Sequence, residues 1–358
     1  MRKLLRLVAG VVLAGTALTG QGALAQDTGT MIVGGTEISV GGGFATLGLP
    51  DVRFGVLKSD SHDVTVHRFS NDDNFGSEFG PSITGSVVIP WTGPTALAFT
   101  GFFSNIDADN TVHCSSSGST SCALVDPTGT RIDRADQIKE ATSRDVDNWG
   151  VQLEGRYQLG GPIMAPGLLR STYLAIGADT RAINQDMSIR NTSTDFPGSV
   201  IRYNETLDTQ YYGGYLAIGG EYSIFPGLNS SWGLRSGFNA HVGIYDAQTD
   251  YGGTYKASFV GSPTATTRLS LSDDQAVVIA GLTFETRKQF GPRTSLSLLS
   301  EYDWYSSVPE MRYSNGYNTR TTIDDDSVLA TRTTFRVNIG LGPSQLYAPP
   351  PPGAEPLK

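Results

Sequence analysis

This 358-residue chain has few of the residues that carry most protein chemistry: two cysteines, four histidines, and charged side chains at only 17%. Two cysteines allow one disulfide at most. Cys114 and Cys122 have seven residues between them in an exported-looking chain, so a bond closing a small loop is expected. The loop-entropy argument assigns such a closure about 2–3 kcal/mol. His113 beside Cys114 lacks the further ligands a zinc site needs, and no metal or cofactor is expected. Clusters such as Asn71-Asp-Asp-Asn74 lack EF-hand spacing, so solvated acidic loops are the default. His62, His67 and His113 fall in long connections and His241 in a strand, and no pattern pairs them with acids as an activated-water site.

Long apolar runs are also missing. Beyond the first 25 residues no stretch of 18 apolar residues exists and no period of 3.6 is sustained, which excludes a membrane-spanning helix. The N-terminus itself reads as a secretory signal. Arg2, Lys3 and Arg6 precede the apolar run Leu7 to Leu18, and Ala23-Leu24-Ala25 supplies a cleavage site, giving a leader over 1–25. Its removal takes three basic and no acidic residues, moving the formal charge from −9 to −12. That balance disfavours nucleic acid or an anionic inner leaflet as partner.

What is abundant is alternation. In Trp149-Gly-Val-Gln-Leu-Glu-Gly-Arg-Tyr-Gln-Leu159, Trp149, Val151, Leu153, Tyr157 and Leu159 point one way, and Gln152, Glu154, Arg156 and Gln158 the other. Ten such stretches lie near 31–47, 80–91, 95–106, 148–159, 168–181, 209–223, 232–246, 275–289, 294–306 and 327–342. Short connections (92–94, 160–167, 223–231, 291–293) alternate with long ones (48–79, 107–147, 182–208, 247–274, 307–326). Alternation continues into the long connections, as at 187–190, 199–203, 251–260 and 265–272. The strands therefore run on well beyond these ten stretches and turn near the tips. An extra hairpin from 52–58 and 63–70 would make twelve strands instead of ten.

Parity sorts the charges. One face holds Leu174, Ile176, Leu216, Val242, Leu282, Phe284, Leu298, Phe335, Val337 and Ile339. The other holds Glu154, Asp179, Glu221, Glu285, Glu301 and Asp303, together with Arg156, Arg181, Arg235, Arg287, Arg332 and Arg336. Two readings of these twelve charges stand: a salt-bridged plug, favoured because six acids meet six arginines, and a constriction that selects small solutes. Arg287 is expected to neutralise a carboxylate such as Glu301. Trp91, Trp149, Trp232 and Trp304 near strand ends suit aromatic girdles.

An apolar face with a polar opposite face, a secretory leader, and short turns alternating with long loops resemble the Gram-negative outer-membrane β-barrels, especially tall and narrow monomeric ones. The resemblance covers the mature chain, is architectural, and matches no family motif. It implies an all-β, antiparallel, up-and-down transmembrane barrel over 26–342 with long external loops. It also implies that both termini lie in the periplasm, including a Pro-rich tail over 343–358. That tail, with Tyr347-Ala-Pro-Pro-Pro-Pro-Gly353, departs from the aromatic terminus many such barrels present to the barrel assembly machinery, and Phe335 to Leu341 would serve as an internal version. Outer-membrane lipid and lipopolysaccharide are the implied surroundings. Three functions remain open: a surface-exposed binding or structural (adhesin-like) protein, a narrow porin-like channel, and an omptin-like surface hydrolase.

Overall fold

A computed structural model describes residues 35–48, 53–59, 67–70, 79–115, 120–125, 131–135, 137–159, 169–193, 195, 197–222, 234–258, 264–291, 293–312 and 321–341. The expected leader over 1–25, the segment 343–358 and Trp232 lie outside the described residues. So do the side chains of Cys114 and Cys122, and with them the disulfide.

Among the described residues there are fourteen strands: β1 (Thr36–Leu47), β2 (Arg53–Ser59), β3 (His67–Ser70), β4 (Phe79–Pro90), β5 (Thr95–Ser115), β6 (Thr120–Val125), β7 (Arg131–Ala135), β8 (Gln137–Leu159), β9 (Leu169–Ser193), β10 (Val200–Tyr222), β11 (Leu234–Ser258), β12 (Ala265–Gln289), β13 (Thr294–Arg312) and β14 (Thr322–Leu341). Ten of them close into a barrel in the order β1-β14-β13-β12-β11-β10-β9-β8-β5-β4, every neighbouring pair antiparallel. The hairpin that would have raised the number to twelve forms, as β2 and β3, but outside the barrel. It joins β6 and β7 in a separate sheet ordered β3-β2-β6-β7.

Alternation places the two faces. On β14, Phe335, Val337, Ile339 and Leu341 are exposed, while Arg332, Thr334, Arg336 and Asn338 between them are buried in the lumen. Exposed apolar side chains continue around the wall through Leu153, Ile176, Leu216, Val242, Leu282 and Leu298. A closed barrel leaves no strand edge in lipid, and this belt gives it a lipid-facing exterior: the molecule is a barrel of the outer-membrane type. Trp91 stands at the short-turn end, 66% exposed, whereas Trp149 and Trp304 sit about ten residues along their strands. With about 3.3 Å per residue and a tilt near 40°, ten residues along a strand span about 25 Å of height, that of an apolar band.

Closure is confined to the belt and the residues just beyond it. Pairing of β1 with β4 ends at Thr46↔Phe79, that of β4 with β5 at Ser82↔Ser104, and that of β12 with β13 at Ile279↔Tyr305. Beyond these points β5, β8, β9, β10, β11 and β12 continue as a six-stranded sheet, and β13 with β14 continue as a hairpin to Arg312↔Thr322. The inner faces of sheet and hairpin bury an apolar core that includes Ile138, Met187, Ile189, Ile201, Tyr203, Leu207, Tyr251, Tyr255 and Met311. The β9–β10 turn carries Gly198 at φ 98° after Pro197, a left-handed position that suits glycine.

Candidate functional site

The lumen is the place where chemistry-bearing side chains converge, and it is layered. Nearest the short-turn end, Arg287 of β12 grips Glu37 of β1 with both amino groups, at 2.8 and 2.9 Å, and donates to Glu285 at 3.1 Å. Arg336 approaches the same Glu285 at 3.6 Å. The expected partnership of Arg287 with Glu301 does not form. Glu301 instead accepts from Arg332 of the adjacent strand at 3.1 Å. The reason is register: Glu301 and Arg332 are directly paired across β13 and β14, whereas Arg287 stands four residues nearer the barrel's end and reaches across to β1.

Beside this group, Arg156 pairs with Glu154 two residues earlier on β8 at 2.5 Å and lies over the Tyr173 ring at 5.0 Å. Tyr215 donates to Glu154 at 3.2 Å, and Asn239 donates to the Tyr173 hydroxyl at 2.9 Å. These tyrosines need glycine opposite them. A Cβ on Gly177 would stand 2.3 Å from the Tyr215 ring, and one on Gly219 would stand 2.3 Å from that of Tyr173.

The next layer centres on Arg181, which is fully buried. Its Nε donates to Asp179 at 2.9 Å, its Nη1 meets Asp303 at 2.9 Å and Tyr305 at 3.3 Å, and its Nη2 lies 3.3 Å from His241 Nε2. Arg332 completes the cluster, 3.4 Å from Asp303 and stacked 3.4 Å over the Phe102 ring. His241 Nε2 is also 3.5 Å from Asp303. It can accept from Arg181 or donate to Asp303, and one tautomer serves only one of them. A carboxylate shared by two guanidiniums and a ring held this way form a clamp, in which buried charge is neutralised by several partners at once.

Eleven of the twelve charges sorted by parity are placed here or close by, since Glu221 is also buried in the wall. Arg235 shares the lumen parity but is exposed at the end of β11, outside the network. Sequence reasoning missed Glu37, which precedes a glycine run without the strong alternation that marks the other strands. With Glu37 added and Arg235 removed, the described lumen holds more acids than arginines. A chamber of about 120 Å³ remains among these side chains, bounded by residues such as Glu37, Glu154, Tyr173 and Arg336. It is a space for a few waters.

Beyond the clamp the lumen turns apolar. Leu47, Ile106, Val146, Ile183, Tyr211, Tyr245, Val277, Ile279, Tyr305, Val308 and Val328 pack together in one cluster. Tyr211 and Tyr305 meet edge to face with ring centroids 5.5 Å apart.

Comparison with known proteins returns no matching family model and no matching curated protein. Among solved structures, the chain is similar to a Pseudomonas aeruginosa FadL homologue, with 8% identity over 86% of this chain and 91% of the other at a TM-score of 0.26. It is also similar to the Ralstonia pickettii toluene transporter TbuX, with 8% identity over 86% and 90% at a TM-score of 0.21. A third is the translocator domain of the autotransporter NalP from Neisseria meningitidis, with 9% identity over 95% and 96% at a TM-score of 0.22. Likenesses at this level assign neither a strand number nor an activity, and the barrel is argued from its own pairing and faces.

Proposed function

We propose that the protein is a surface-exposed binding or structural barrel of the outer membrane, with its lumen closed to solutes and its long-connection end outside the cell. The observation that supports closure is the apolar layer. Nine of the ten barrel strands, all but β4, contribute buried side chains to it. A water-filled pore needs a continuous polar path, and a transverse layer of isoleucine, valine and tyrosine interrupts one. Orientation follows the architecture of such barrels, whose short turns face the periplasm and whose long connections face outward. The elaborated sheet, the β13–β14 hairpin and the four-stranded accessory sheet then all lie on the cell surface, where a partner meets them first. Outer-membrane lipid and lipopolysaccharide surround the belt in this reading.

A narrow channel is the second reading, favoured by the polar chamber and the surplus of acids at the short-turn end. Conduction would require the apolar layer to part, and would favour cations. Orientation is tested by cysteine labelling of intact cells in a background where Cys114 and Cys122 are serine. Asn204→Cys should react with an impermeant maleimide, while Thr92→Cys should react only after lysis. The reverse pattern would overturn the reading.

A further inference from the structure

The sheet that projects beyond the girdle carries two bands of charge on its outward face. In the nearer band Asp107 stands opposite Asp145, Asp145 opposite Asp186, and Asp208 opposite Asp250. Farther out, Arg190 stands opposite Arg202 and Arg202 opposite Lys256, with Lys139 and Arg268 one diagonal step away on the flanking strands. All five cations are exposed, and none pairs with a described carboxylate.

Like charges set directly opposite each other destabilise a sheet, and mixing the two bands would relieve both. Folding stability alone does not account for this segregation. One cation per strand across five strands gives a row about 19 Å long, with charges about 5 Å apart. Arginine forks in such a row match sulfate and carboxylate groups two bonds at a time. Between the bands lies a trough of about 820 Å³ walled by Ser188, Asn204, Thr254 and Arg268, with Asp145 and Asp186 at one edge. Its hydroxyls and amide suit sugar hydroxyls.

We propose that this face binds an acidic polysaccharide, sulfated or carboxylated, arriving from outside the cell. The proposal rests on the orientation and surface-binding role given above. Arg202 lies about ten residues beyond the exposed Tyr212 on β10, which stands near the level of Trp149, or about 25 Å. Lipid phosphates at the girdle are too far away, and the aspartate band between would repel them.

The test uses the purified barrel in detergent micelles, with heparin as the sulfated probe and dextran as the neutral one. Heparin should bind with micromolar affinity and be released by about 0.5 M salt, because exposed charges are screened at that strength. The variant Arg190→Gln/Arg202→Gln/Lys256→Gln should bind at least tenfold more weakly. It should keep its unfolding midpoint or raise it, because the opposed cations are gone. Asp145→Asn/Asp186→Asn should bind more tightly. Equal binding of dextran, no binding of heparin, or unchanged affinity in the triple variant would overturn the proposal. Lipopolysaccharide vesicles that displace heparin at matched charge would overturn the external source. A protein labelled from outside yet indifferent to heparin loses this site and keeps its orientation, whereas labelling from the wrong side removes the reading beneath it.

Discussion

Arg181 and Glu140 show how differently the two halves of the interior treat charge. Arg181, level with the belt, is held by Asp179 and Asp303 at 2.9 Å each. Replacing it with alanine leaves two buried carboxylates without their main partner. The cost should be about 3–5 kcal/mol, less where water enters, read as a lower urea midpoint for unfolding from detergent or lipid. Glu140 lies beyond the girdle on the inner face of β8, opposite Asn191. Burial pushes its carboxyl up from 4.5 to about 8, offset in part by Asn191. The folded state therefore holds a proton that the unfolded state releases, and between pH 4.5 and 8 stability falls as pH rises. Glu140→Gln mimics the protonated form and removes that slope. Its advantage over the native protein should be near zero at pH 4.5 and grow to a plateau above pH 8. Each pH unit across that window is worth about 1.4 kcal/mol, so the plateau is a few kcal/mol. A native protein whose unfolding midpoint is flat across the window would refute this account of Glu140.

At the scale of elements, the seam between β12 and β13 is the weak line of the wall. Beyond Ile279↔Tyr305, β13 bulges at Ser306 and Ser307 before resuming its pairing with β14 at Val308↔Asp326. Side chains staple the start of the gap. Val278 donates its backbone N–H to Ser306 at 2.9 Å, and Gln275 donates to Ser307 at 2.8 Å and Asp325 at 2.6 Å. Past Gln275, β12 is paired with β11 alone among the described residues. Backbone amides of 265–274 that point away from β11 should exchange with solvent orders of magnitude faster than those of 279–289, which are bonded on both sides. Uniform protection along β12 would mean the wall is closed there. The strands themselves were legible from alternation, including their run beyond the belt, because a period of two is written into every residue. The seam was not, because β12 reads as a strand whether or not it has a second neighbour. The accessory sheet was only half legible: the 52–58 and 63–70 segments read as a hairpin, but their partners β6 and β7 come from another connection.

For the whole molecule, parity tells which charges face inward, Arg235 at its strand end excepted, but not which meet. Pairing across the lumen depends on strand register and on the stagger set at closure, and those are properties of the ring. That is why sequence does not reveal that Arg287 meets Glu37 rather than Glu301, whereas Glu37 itself is hidden by the weak alternation of its glycine-rich strand. The apolar layer escaped notice for a related reason. Its members sit one or two to a strand, each looking like an isolated inward apolar residue, and only closure brings them to one height. Sealing by this layer is the central claim, and planar-bilayer conductance tests it most directly. The native protein should insert without steady current, while Tyr211→Ala/Tyr305→Ala, which empties the layer's edge-to-face pair, should conduct and prove insertion. Steady, ion-selective current from the native protein would contradict a closed lumen and give the channel reading its place.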